Sequence, residues 1–165
     1  MLKIVLPLTR LLIKTERYSE YGISITPNVY KVEDGKHKLV LDVRAMLMNK
    51  EPIEESVREA LRELGEDVEF RVIDGGGGYL YTPRDSELVK SFEKVLTELG
   101  EKLVIGEAAG ASDSRYFTIY GVESVDFGPH GGNVHGNDEY VVISSLKKLP
   151  LVYAGVARYL SARYK

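Results

Sequence analysis

The chain has 165 residues, 44% hydrophobic and 28% charged, the balance of a soluble globular protein and not of a disordered or fibrous one. A formal charge of -3, with Lys and Arg scattered among acids, offers no basic field for phosphates, so nucleic acid is not an expected partner. Without Cys, disulfides, thiolate metal sites and a cysteine nucleophile are excluded, and any metal must be held by His and carboxylates.

Gln and Trp are also absent while Glu, Lys and Tyr are frequent, a bias expected of a thermophilic source and read here with a cytoplasmic location. The apolar opening Met1–Leu6 is broken by Pro7, Arg10 and Lys14 before it could cross a membrane or act as a secretory segment.

In chain order, the spacing after Pro7 predicts a short amphipathic helix over 8–15. Alternation over 23–31, turn residues at 33–36 and an apolar-rich run over 38–43 predict a β-hairpin. Ile53, Val57, Ala60 and Leu64 share one face of a helix that stops at Gly65. Val68–Ile73 reads as a strand, and the run Gly75–Gly78 marks a boundary, dividing the chain into 1–75 and 76–165.

Beyond it, Asp85 or Ser86 caps a helix running to about Leu99, stopped by Gly100. Lys102–Ile105 and Val122–Phe127 read as strands ending in glycine-rich loops, with a helix over 113–120 between them. Ser144-Ser145 opens a last amphipathic helix. The expected class is α+β followed by α/β.

Two loops concentrate the chemistry. Gly106–Arg115, G-E-A-A-G-A-S-D-S-R, joins a strand to a helix, where exposed amides can hold a carboxylate or oxyanion; a tight connection capped by Ser112 or Asp113 explains the same residues. Phe127–Tyr140, F-G-P-H-G-G-N-V-H-G-N-D-E-Y, crowds two histidines and two carboxylates at a predicted strand end, where α/β sheets bind ligands. Either histidine could equally be a surface residue. One histidine falls short of a catalytic zinc site, which needs about three protein ligands.

The order G-A-S-D-S-R-Y, F-G-P, H-G-N-D-E-Y and a final amphipathic helix resembles the C-terminal signature of the zinc metallopeptidase family of aminoacylase, acetylornithine deacetylase, succinyl-diaminopimelate desuccinylase and carnosinase-like dipeptidases. Upstream, T-P-N-V, L-V-L-D-V-R and a helix resemble the second half of its lid, and Tyr79–Lys90 resembles its dipeptidase branch. The resemblance spans about residues 8–162. It implies a ferredoxin-like lid half (hairpin, helix, strand) over 1–75 and a partial αβαβα catalytic-domain sheet over 76–165.

It also implies roles. His135 matches the family's C-terminal zinc ligand, and Arg115 an arginine that holds the substrate carboxylate. Arg44 matches a lid arginine and Asn28 a lid asparagine that polarises the scissile carbonyl. Gly110, Ala111 and Ser112 would line the pocket through backbone amides, and Glu139 would orient His135. His130 stands where the family has a small residue, and Asp138 where it often has Asn. Each residue has a plainer reading: Arg44 pairing with Asp42 or Glu54, Arg115 on a helix surface, Asn28 in a turn after Pro27, Glu139 a solvated acid.

The family draws most of its zinc ligands and its water-activating Glu from an N-terminal segment, and no H-x-D motif or E-E pair in that context precedes Ile23. The implied function is therefore the C-terminal part of an enzyme hydrolysing small peptides or acyl-amino acids, inactive by itself and holding zinc weakly or not at all. It would be a homodimer, completed in a split enzyme by a separate N-terminal half. The competing reading is a non-catalytic dimerisation module; a small-molecule regulatory domain is a third that nothing demands.

Overall fold

The computed structural model describes residues 2–17, 22–65, 68–73, 77–108 and 110–163, so the expected boundary at 75/76 lies outside the described residues. The described elements are α1 (Leu2–Leu8), β1 (Ser24–Glu33), β2 (Lys36–Arg44), α2 (Glu51–Leu64), α3 (Glu87–Glu98), α4 (Arg115–Thr118), β3 (Gly131–Gly132), β4 (Tyr140–Val141) and α5 (Ile143–Arg163). The chain is thus mixed α and β with small antiparallel sheets. It divides into two compact units, Met1–Tyr79 with Glu107–Tyr120, and Leu80–Gly106 with Gly121–Lys165. Among the described residues no helix is long and apolar enough to cross a membrane.

In the first unit β1 and β2 form the expected hairpin. Asp34 and Gly35 both take left-handed backbone, φ 51° and 73°, the two-residue turn whose twist matches that of its strands. The register passes from Pro27 opposite Leu41 to Val29 opposite Val40, leaving Asn28 as a bulge. Val29, Tyr30, Val32 and Val40 remain exposed. Residues 68–73 do not add the expected third strand, and the sheet has two strands among the described residues. The segment meets α2 through a side chain instead, Phe70 lying 5.9 Å from the Arg58 guanidinium.

α2 forms as expected, with Pro52 and two acids in its first turn and Gly65 closing it at φ 63°. Its buried residue Leu61 joins Leu8, Ile13 and Leu47 as the buried apolar residues of this unit. The helix expected over 8–15 lies earlier, as α1, with Pro7 inside its last turn. The irregular stretch after it buries Leu8 and Ile13 while Leu12 is 94% exposed. It is pinned by Ser56 Oγ donating to the Leu12 carbonyl (3.3 Å) and by the Met48 N–H donating to Glu16 Oε1 (3.1 Å).

The second unit is built on α3 and α5. Ser86 caps α3, its Oγ accepting from the Val89 N–H at 3.2 Å, a contact whose loss costs about 1 kcal/mol. Phe92, Val95 and Leu96 pack with Val152 and Val156, flanked by Leu103, Val125 and Phe127. Gly155 permits the approach of the helices, since a Cβ there would stand 2.7 Å from Val95 Cγ1.

The strands expected over 102–105 and 122–127, and with them the parallel part of the catalytic sheet, do not appear among the described residues. A strand exists only by pairing, and here a side chain takes the neighbour's place. The Thr82 hydroxyl accepts from the Ser124 N–H (3.1 Å) and donates to the Ser124 carbonyl (2.5 Å). The helix expected over 113–120 shortens to α4.

Two tests follow from this packing. Gly155→Ala should destabilise the chain by roughly 1–3 kcal/mol through overpacking, and Val95→Ala in the same chain should cost less than it does alone, as read by urea denaturation of both single variants and the double. The second test concerns Glu101, which accepts from the Lys148 ammonium of α5. Lys148 holds the Glu101 carboxyl below its ordinary 4.5, first by that hydrogen bond and then by its charge. A depressed folded-state pKa stabilises above the ordinary value and loses that effect as pH falls through the lowered one. The stability difference between wild type and Glu101→Gln should therefore be small at neutral pH, weaken with salt and vanish in acid.

Candidate functional site

The loop from Phe127 to Tyr140 is fastened to the second unit's core at its base. The Phe127 ring lies 5.0 Å from Phe92 and 6.3 Å from Tyr153, and the Tyr153 hydroxyl donates to the Phe127 carbonyl at 2.8 Å. Two residues beyond Gly128, the His130 N–H donates to Ser145 Oγ (2.9 Å) and its carbonyl accepts from the Val142 N–H (2.8 Å). Ser145, in the first turn of α5 as expected, also clasps that turn to the loop, its hydroxyl donating to the Val142 carbonyl at 2.7 Å.

Above this base β3 pairs with β4, Gly132 opposite Tyr140, and residues 133–139 form the tip. Glycine is required where backbone meets backbone: a Cβ on Gly131 would stand 2.4 Å from the Tyr140 carbonyl oxygen, whereas at Gly132 and Gly136 it would meet only movable side-chain ends, the Tyr140 ring and the Asn133 amide. His135 sits at the tip with φ 64°, a left-handed conformation uncommon outside Gly, Asn, Asp and His. It is exposed, as are His130, Asp138 and Glu139. Among the described residues no hydrogen bond joins Glu139 to His135, and no three His, Asp or Glu side chains converge as a metal site. The residues present do not fit a zinc ion by themselves, since one imidazole is far from a ligand set.

The remaining candidates belong to the first unit. Asn28 is the exposed bulge of β1, a position that redirects a side chain relative to its neighbours. Arg44 ends β2 and takes the first of its two plainer pairings, Nε and Nη2 donating to Asp42 Oδ2 at 3.3 and 3.2 Å. Gly110 and Ala111 are exposed and Ser112 is half-buried. Ser112 Oγ accepts from the Ser114 N–H at 3.0 Å, and the N–H groups of Arg115, Tyr116 and Phe117 donate to the carbonyls of 112, 113 and 114. Those four amides are occupied in building the turn.

Arg115 is half-buried; its Nη2 donates to the Tyr116 hydroxyl at 2.7 Å, and its guanidinium lies 4.7 Å from that ring's centre. Gly78 supports this segment and Gly77 packs against Met48, although the sequence shows both only as part of a boundary run. With φ 62° and 80°, a Cβ on Gly77 would stand 2.3 Å from the Met48 carbonyl oxygen, and one on Gly78 3.0 Å from that of Arg115. The run of four glycines was the available signal, since close backbone contact is the other use of glycine.

Comparison with known proteins follows the same lines. The family described as Peptidase family M20/M25/M40 matches residues 9–159. A succinyl-diaminopimelate desuccinylase of Helicobacter pylori (strain G27) is 27% identical over 134 residues, 80% of this chain and 34% of that protein. One of Aliarcobacter butzleri (strain RM4018) is 26% identical over 137 residues, 82% and 35%. One of Hydrogenovibrio crunogenus is 33% identical over 73 residues, 44% and 19%. The chain spans about a third of the length of the first two. No solved structure matches.

The backbone at His135 makes a distinguishing prediction. Glycine tolerates φ 64° and alanine does not, at about 1–2 kcal/mol. His135→Gly should be more stable than His135→Ala by roughly 1 kcal/mol in urea denaturation, and equal stabilities would remove the left-handed conformation from the description of the loop.

Proposed function

Because this chain belongs to the M20/M25/M40 peptidase family, we propose that it supplies the C-terminal portion of a zinc-dependent dipeptidase or N-acyl-amino-acid amidohydrolase and is inactive alone. The observation that carries the proposal is His135, held in left-handed backbone at the exposed tip of a glycine-built loop. A non-glycine residue kept in that conformation is a reason to look for a use of its side chain. His135 would donate one imidazole to a metal whose other ligands come from outside the described residues. Arg115 suits a carboxylate, as a planar two-pronged donor. Asn28 and Arg44, on one hairpin, would reach the substrate from a lid formed by residues 1–75, the ferredoxin-like half of the family's lid, with residues 76–165 in the catalytic domain. Gly110, Ala111 and Ser112 would line the acyl pocket, and Glu139 would orient His135.

The relatives' name makes N-succinyl amino acids the first substrates to test, with dipeptides next. A cytoplasmic location and a thermophilic source belong to the same proposal.

The second reading, a dimerisation module, is favoured by the hairpin. It leaves Val29, Tyr30, Val32 and Val40 exposed, and a two-stranded sheet has edges able to accept a further strand. The two readings share a dimer and differ in what the dimer needs for turnover.

The purified chain should hydrolyse neither N-succinyl or N-acetyl amino acids nor dipeptides with added zinc or cobalt, and calorimetric titration should detect no tight zinc site. Zinc-dependent turnover that disappears in His135→Ala would overturn the incompleteness and retain the site. Light scattering should report a mass above the 18.5 kDa of one chain; a clean monomer across a wide concentration range would sink the dimer.

A further inference from the structure

We infer that Tyr116 is a positioning residue for Arg115, its phenol oxygen and ring face together fixing the guanidinium for a carboxylate-bearing ligand; this rests on the reading of Arg115 given above. Two contacts of different kinds converge on one side chain. The hydroxyl oxygen accepts from Nη2 at 2.7 Å, which sets the rotation of the guanidinium plane. The centre of the ring lies 4.7 Å from the guanidinium carbon, within the range of cation–π attraction, which sets its distance from the helix. An arginine fixed beforehand loses less side-chain freedom on binding, so its ligand is held more tightly for the same contacts.

The backbone under the pair is equally constrained. α4 is a single turn, closed by Ser112 Oγ on the Ser114 N–H, and the Arg115 carbonyl lies close over Gly78, where a Cβ would approach to 3.0 Å. Arg115 and Tyr116 are sequence neighbours, and neighbouring side chains on a regular helix diverge. Their contact here depends on a turn of only four residues. Tyr116 is 38% exposed and outside the buried core, so its replacement should leave the fold intact.

The test is arginine side-chain NMR on the full chain, comparing wild type, Tyr116→Phe and Tyr116→Leu, with N-acetylglycine as the carboxylate probe. In wild type the Arg115 Nη signals should be resolved by slow rotation. They should partly merge in Tyr116→Phe, which keeps the ring alone, and merge further in Tyr116→Leu, while backbone amide spectra stay native. N-acetylglycine should shift the Arg115 Nε–Hε signal in wild type and bind several-fold more weakly to Tyr116→Leu, with Tyr116→Phe between. Arg115 signals or probe affinities unchanged in Tyr116→Leu would overturn the positioning role. A wild-type Arg115 signal that never responds to the probe, although it responds to the Tyr116 variants, would instead overturn the carboxylate reading of Arg115 on which the role rests.

Discussion

The contact between α3 and α5 is the constraint from which the rest of the second unit takes its position. Gly155 removes a side chain where Val95 needs the space, and the helices then bury Phe92, Leu96, Val152 and Val156 between them. Phe127 is drawn onto that core by Phe92 and by the Tyr153 hydroxyl, and one residue later the glycine-rich loop begins. His135 is therefore placed by apolar packing relayed through backbone hydrogen bonds, although it lies at an exposed tip. A loop with no core of its own can be accurate only in this way.

The first unit depends on close backbone approach more than on a large core. Leu8, Ile13, Leu47 and Leu61 are buried, whereas the hairpin exposes large side chains. Gly77 fits against the Met48 carbonyl and Gly78 against that of Arg115, so the turn bearing Arg115 is backed by main chain. The hairpin bearing Asn28 and Arg44 is specified by its own turn and bulge. Local chemistry sets its shape even where little covers its faces.

How much of this could be read from the sequence differs by element, for physical reasons. α2, α3 and the hairpin were legible because their signals are local: a 3.6-residue apolar stripe with a cap, and an Asp-Gly turn between alternating runs. Residues 68–73, 102–105 and 122–127 have strand-like composition, yet a strand also requires a neighbour, which composition does not contain; Thr82 fills that place beside Ser124. The family was legible because its motifs are ordered along the chain. Of the candidate residues, His135, Arg115, Arg44 and Asn28 could be named, and so could the pairing of Arg44 with Asp42, but not the left-handed backbone of His135, the Tyr116 contact of Arg115 or the bulge at Asn28. The work of Gly77 and Gly78 was hidden because a glycine run looks the same as a linker and as a packing surface.

Pro150 lies within α5 and brings no N–H to the Leu146 carbonyl four residues before it. The helix is thereby divided into a segment bearing Ser145, which holds His130, and a segment bearing Val152 and Val156, which lies in the core. Amide protons on the two sides of the proline need not exchange with solvent together. The earlier turn, which rests on fewer backbone hydrogen bonds, is where exchange should begin.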